Sequence, residues 1–138
     1  MKPIHQDNDC RPISEILRQI GGKWTVLIIS QLGSGSLRFG EIKRVIGGIS
    51  QKVLTATLRD LEMDGFVTRT VTPSIPPRVD YELTDLGRDL LVPVQALGAW
   101  AIANRPKVLE ARRQYLSEHP EAVPPKMGRV IAFRQAAE

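Results

Sequence analysis

Apolar positions recur at helical spacing in the first half of the chain and alternate in strand fashion in the middle. Ile13, Ile16, Leu17 and Ile20 share one face of a stretch that Pro12 suits to begin, which predicts a short helix over 12–20 ended by Gly21-Gly22. Residues 23–32 predict a second helix, so apolar through Val26, Leu27, Ile28 and Ile29 that it belongs at the centre of the core. After a Gly/Ser loop at 33–36, residues 37–39 fit a very short strand. A third helix is expected over 41–46, with Gly40 at its cap position and Ile42, Val45 and Ile46 inward. Gly47-Gly48 then makes a tight turn. Ser50 is a good N-cap for a fourth helix running to about 64, closed by Gly65. Strands are expected over 66–71 and 79–83, with an irregular proline-rich tip at 73–77 between them. Thr84 caps a fifth helix through 103, with a kink or break expected at Pro93.

The order matters more than any single element. Two helices joined by a glycine turn and followed by a hairpin form a winged helix-turn-helix, a mostly α fold with a small β-hairpin (α+β). The organisation read from the chain is an N-terminal arm at 1–10, the winged domain at 11–104 and a C-terminal extension at 105–138. In that extension 106–118 fits a further amphipathic helix through Val108, Leu109, Tyr115 and Leu116, before Pro120, Pro124 and Pro125 break it.

Composition narrows the class. The chain has 138 residues, 42% hydrophobic and 25% charged, as expected of one soluble domain. No apolar run approaches the roughly 18 residues of a membrane span, and the polar start does not resemble a signal peptide, so a cytoplasmic protein is expected. The net charge of +4 is unevenly placed. Residues 105–138 carry seven Lys/Arg against four Asp/Glu, whereas 36–104 carry eight of each. DNA affinity must therefore come from where individual cations sit.

On a wheel of about 100° per residue, Leu54, Leu58 and Leu61 form the buried stripe of the fourth helix. Opposite lie Lys52, Thr55, Ala56 and Arg59, with Gln51 at the leading edge. This face suits base reading: Gln51 with adenine, Arg59 or Lys52 with guanine or phosphate, Thr55 and Ala56 against a thymine methyl. The competing reading is an ordinary solvated helix face. At the hairpin, Pro76-Pro77 stiffen the tip before Arg78, a candidate for the minor groove, and Arg69 on the other strand is placed to reach phosphate. For both, cross-strand pairing with Asp80 or Glu82 is the alternative. Lys23, at a helix N-terminus, with Arg38 and Lys43 makes a possible phosphate clamp. Trp24 and Trp100 read as core or interface anchors. Lys107, Arg112 and Arg113 fit a solvated surface or added non-specific affinity.

At these residues the sequence resembles the HxlR-type family of winged-helix transcriptional regulators, which are MarR-like. The resemblance covers about 10–104, through Gly21-Gly22-Lys23-Trp24, Arg38-Phe39, Gly48-Ile49-Ser50-Gln51-Lys52, Leu58-Arg59, Leu61-Glu62, Gly65, Pro76-Pro77-Arg78-Val79, Tyr81, Leu83-Thr84 and Gly87. It implies a homodimer joined by the first and last helices and seated on a double-stranded operator with two-fold symmetry. Ile13 and Leu17, with Leu90, Leu91, Val94, Leu97, Trp100 and Ala101, would supply that interface. The extension is longer than the family usually carries.

The resemblance also implies a role for Cys10, the chain's single cysteine, because several members sense oxidants or electrophiles through a cysteine just before the first helix. A helix N-terminus and Arg11 favour thiolate there, while Asp7 and Asp9 oppose it. An internal disulfide is excluded; a bridge between two copies is not. The alternative is an unreactive cysteine at the domain's edge.

A regulator of transcription, most simply a repressor with an oxidant or small molecule as effector, is the leading expectation. A winged-helix module that binds protein without specific DNA binding is the alternative. An enzyme is not expected, since no Ser/His/Asp, Cys/His, phosphate-loop or metal-ligand constellation is present. No cofactor or metal is expected either, His5 and His119 lacking further ligands at sensible spacing.

Overall fold

The computed structural model describes residues 10–124, with side chains from residue 12 onward. The elements are α1 (Cys10–Ile20), α2 (Lys23–Leu32), β1 (Leu37–Arg38), α3 (Phe39–Ile46), α4 (Gln51–Met63), β2 (Val67–Thr72), β3 (Arg78–Leu83) and α5 (Asp85–Glu118). Most of the arm at 1–10 and the end of the extension from 125 lie outside the described residues.

Helix α2 is the hub. Its Leu27, Ile28, Ile29 and Leu32 are buried, and it packs against α3, α4, α5 and β3 at once. That is why its sequence is apolar on more than one face. Ile42 and Ile46 of α3, Leu54, Leu58 and Leu61 of α4, and Val67, Tyr81 and Leu83 of the sheet complete one core. The sheet is antiparallel in the order β1-β3-β2, with Leu37 opposite Tyr81 and Thr72 opposite Arg78. Each strand of the wing reaches one residue nearer the tip than its alternation predicts. The ladder stops at Arg78 because Pro76 and Pro77 have no N–H to donate.

Two expectations about helix starts are corrected. Gly40 does not cap α3; it lies in the first turn, and the helix begins at Phe39 instead of extending a strand. Arg38, leaving β1 in an extended conformation, is the N-cap, and its N–H donates to the Glu41 carboxylate at 3.1 Å. A strand end already supplies the cap geometry, so the helix closes two residues early. Helix α1 likewise begins at Cys10, which makes the cysteine its first residue and not one preceding it. At α4 the expectation holds: Ser50 Oγ accepts from Val53 N–H at 3.1 Å, and Gly65 takes a φ of +81° just beyond the end.

The largest correction is α5, one unbroken helix of 34 residues, about 50 Å long, running through both Pro93 and Pro106. The separate helix expected from 106 is its last third. A proline removes one hydrogen bond and crowds the carbonyl four residues earlier. Here those carbonyls belong to Asp89 and Ile102, both at exposed positions where water can satisfy them, and Pro93 itself faces outward beside buried Val94. The helix ends at His119, whose ring stacks on Tyr115 at 4.0 Å between centroids. Among the described residues no helix is long and apolar enough to cross a membrane.

Candidate nucleic-acid interface

The exposed face of α4 follows from what its other face must bury. With Leu54, Leu58 and Leu61 in the core, Gln51, Lys52, Thr55, Ala56 and Arg59 all emerge on the exposed side. Those five line one shallow groove of about 530 Å³. Thr55 Oγ1 donates to the Gln51 carbonyl at 2.8 Å, so its hydroxyl is engaged by its own helix and what it offers outward is its methyl. That suits apolar contact with a thymine better than hydrogen bonding.

A second concavity, of about 450 Å³, lies between α4 and the sheet. Gln51, Thr55, Arg59 and the carboxylate Glu62 line it from the helix, Arg69 from β2, and Phe39, Val79 and Tyr81 form apolar walls. The structure thus brings Arg69 beside the reading helix, a relation that the strand register decides: Arg69 lies opposite Tyr81. Neither Arg59 nor Arg69 is in an ion pair among the described residues. Both guanidinium groups are available to an anion.

Arg78 takes the Asp80 partner that its alternative reading named, but not across the strands. Its Nε donates to both oxygens of Asp80, at 2.9 and 3.2 Å, along strand β3 and not across the ladder. Residues two apart on a strand share a face, which is why the pair forms. Arg78 remains 48% exposed and its partner 20%, so solvent screens the pair and it contributes little.

The supposed clamp of Lys23, Arg38 and Lys43 is not gathered into one site. Lys23 opens α2 and its Nζ sits 4.5 Å above the Trp24 ring, in a cavity shared with Arg18, Thr57 and Asp60. Lys43 lines a different hollow, with Arg44, Gly47 and Gly48. Arg38 lines neither. Arg44 is the cation that sequence reasoning missed. Its signal was the Lys43-Arg44 doublet in the last turn of α3, immediately before the glycine turn into α4.

The residues expected at a dimer interface divide. Val94, 6% exposed, belongs to the protomer's own core, and Leu90 and Leu91 pack against it. Leu97 and Trp100 are 57% and 59% exposed, Ala101 is exposed, and so are Ile13 and Leu17 on α1. Trp24 is a partly buried core contact, Trp100 an outward one.

Comparison with known proteins bears on this geometry. The sequence pattern of the HxlR-like helix-turn-helix family matches residues 19–109. The HTH-type transcriptional regulator YtfH of Escherichia coli (strain K12), itself uncharacterised, is 43% identical over 101 residues, covering 73% of this chain and 80% of that protein. The solved structure of the transcriptional regulator ytfH from Salmonella typhimurium superposes with a TM-score of 0.71 at 41% identity, over 74% of this chain and 91% of that one. The redox regulator HypR in its reduced form gives 0.67 at 41% identity, over 72% and 98%. These relatives are winged-helix regulators of transcription.

Proposed function

The chain belongs to the HxlR-like helix-turn-helix family, and we propose that it is a homodimeric, cytoplasmic repressor that binds a two-fold operator and responds to oxidants through Cys10. The observation that carries the DNA reading is the groove on α4, where Gln51, Lys52, Thr55, Ala56 and Arg59 stand together opposite the buried leucines. Helix-turn-helix proteins insert this end of this helix into the major groove. Arg69, beside Arg59, then meets phosphate, while Lys43 and Arg44 flank the turn and hold register. Arg78 exchanges Asp80 for the minor groove, an exchange that costs little because Arg78 is half exposed and solvent screens the pair it leaves.

A repressor needs no further contacts: a dimer on a promoter blocks polymerase by occupancy. The dimer reading rests on the exposed apolar residues of α1 and the middle of α5. The oxidant reading rests on two observations. Cys10 is the first residue of α1, and HypR is by name a redox regulator. Two Cys10 thiols joining across the dimer, or one joining a small thiol, release two electrons and two protons to the oxidant.

The test is a mobility-shift titration on DNA upstream of the chain's own gene, with reduced and diamide-treated protein. A salt-sensitive, competitor-resistant shift that oxidation abolishes in wild type and not in Cys10→Ser is the expected result. A shift indifferent to oxidation removes Cys10 from the mechanism. No specific shift in either state favours a protein-binding winged helix instead.

A further inference from the structure

The chain crosses from α1 to α2 through two glycines that obey different constraints. A Cβ on Gly21 would lie 2.5 Å from the Leu17 carbonyl oxygen, so no side chain fits there. At Gly22 the backbone is extended, with φ −63° and ψ 143°, and a Cβ would meet only Thr25 Oγ1 at 3.8 Å. Space and conformation both permit a side chain at this second position. Gly22 is the N-cap of α2, where a serine or aspartate would accept from the first turn, and no side chain does so. The Gly22 carbonyl accepts from Val26 N–H at 3.0 Å. The N–H groups of Lys23, Trp24 and Thr25 come before that bond and have no acceptor within the helix.

A cavity of about 240 Å³ opens at this helix end, between α1, α2 and α4. Arg18 from the last turn of α1 and Lys23 from the first turn of α2 line it, and neither is in an ion pair among the described residues. Asp60 is the carboxylate in its lining, and the Thr57 hydroxyl is already engaged, donating to the Val53 carbonyl at 2.7 Å. Thr25 lines the cavity as well. It is only 8% exposed, and its hydroxyl makes no hydrogen bond among the described residues. A hydroxyl buried that far without a partner costs stability, and a valine of nearly the same shape would not. Both the open cap and the idle hydroxyl weaken the fold locally, and both face the same cavity.

We propose that this cavity is a phosphate pocket, and that the phosphate it takes belongs to the operator backbone, a consequence that rests on the DNA-binding reading above. Its donors suit a tetrahedral oxyanion: consecutive N–H groups at the positive end of a helix, one hydroxyl and two cations. Its place beside α4 selects the source. A helix lying in a major groove about 12 Å wide has a sugar–phosphate strand along each flank. On α4, Gln51, Thr55 and Arg59 turn toward the sheet, where Arg69 supplies a cation. Thr57 and Asp60 lie on the opposite flank, and that flank is a wall of the pocket. Arg69 and the start of α2 therefore bracket the reading helix, one for each strand. Asp60 opposes the phosphate with one charge against two.

The experiment uses two substitutions in the full chain whose effects on stability and on binding differ in sign. Gly22→Asp supplies the missing cap and closes the pocket with a carboxylate, and Thr25→Val removes the hydroxyl at nearly constant shape. Both should unfold at a urea concentration equal to or above that of wild type. Operator affinity, read by fluorescence anisotropy, should fall about tenfold for Gly22→Asp and about threefold for Thr25→Val, and Gly22→Asp should flatten the salt dependence by about one phosphate contact. Asp60→Asn should bind more tightly than wild type. Stability and affinity falling together in both variants would mark the residues as structural and overturn the proposal. Inorganic phosphate, titrated without DNA and followed by NMR at the Lys23, Trp24 and Thr25 amides, separates the sources. Saturable shifts in wild type and none in Gly22→Asp support the pocket. The same shifts with operator affinity unchanged in both variants overturn the backbone assignment in favour of a free phosphate ester. Absence of shifts in wild type, with operator affinity unchanged in the variants, overturns the pocket itself. Failure of wild type to bind any operator refutes the DNA reading alone, and the phosphate titration still decides the site.

Discussion

Arg59 and Arg69 sit on different elements and face one concavity, which separates two roles that look alike in the sequence. Arg59 lies on the α4 face proposed to read bases, so Arg59→Ala is expected to weaken a matched operator by roughly 1–3 kcal/mol and to relax preference at one base pair, read by fluorescence anisotropy on singly substituted sites. Equal loss on every sequence would make it a phosphate contact, the behaviour expected of Arg69→Ala. Arg78→Ala removes an exposed pair with Asp80, so stability should change by less than about 1 kcal/mol in urea unfolding while binding falls most on sites with A·T-rich flanks. An equal fall on G·C-rich flanks argues against minor-groove entry. Gly87 shows a different constraint, one of space: a methyl group there meets the Phe66 carbonyl at 2.1 Å. Gly87→Ala should therefore cost about 1–3 kcal/mol of folding stability, seen as a lower urea midpoint.

At the level of elements, α4 couples stability to recognition. Its exposed face is free to vary chemically only because Leu54, Leu58 and Leu61 anchor the opposite face. Leu58, almost fully buried, should cost about 2–5 kcal/mol when cut to alanine, measured by urea unfolding. Operator affinity of the fraction still folded should be nearly unchanged, which distinguishes an anchor from a contact. Helix α5 carries the reverse lesson. One apolar stripe runs through Leu90, Val94, Leu97 and Ala101, yet α2 packs against its first half while, among the described residues, Leu97 and Ala101 stay exposed. The helix also continues through Pro93 and Pro106, positions where local rules favour a break. Asp89 and Ile102 are at exposed positions, where water can take the place of the lost N–H, one part of the cost behind that rule.

For the whole molecule, the +4 charge is less informative than its placement. Residues 36–104 balance to zero, but the fold sets Arg59, Arg69, Lys52, Lys43 and Arg44 on exposed positions around α4, where Glu62 is the one carboxylate lining the concavity of Arg59 and Arg69 while Asp60 and Asp64 line others. A local basic surface on a neutral domain predicts affinity that falls steeply with salt. The exposed Leu97 and Trp100 make dimerisation testable: Leu97→Asp with Trp100→Glu should yield a monomer by light scattering, with loss of operator binding but unchanged helix content by circular dichroism. A variant that remains dimeric would place the interface elsewhere.

The boundaries of α2, the Ser50 cap, the inward leucines of α4 and the hairpin with its proline tip were legible in the residues, because capping, periodicity and alternation act over a few neighbours. So was the set of residues on the exposed face of α4, since one buried stripe determines the opposite one. What lies across space was not legible. That Arg38 rather than Gly40 starts α3 depends on a strand arriving from β1; that Arg69 joins Arg59, and Arg78 joins Asp80, depends on ladder register and on which face each strand presents. The division of the α5 stripe into core and open surface depends on where α2 ends against it. Local patterning determined which segments are helices and strands and which side of each is apolar. Burial, pairing of charges and the gathering of distant side chains into one groove were decided by tertiary packing alone, because each depends on the element on the other side of the contact.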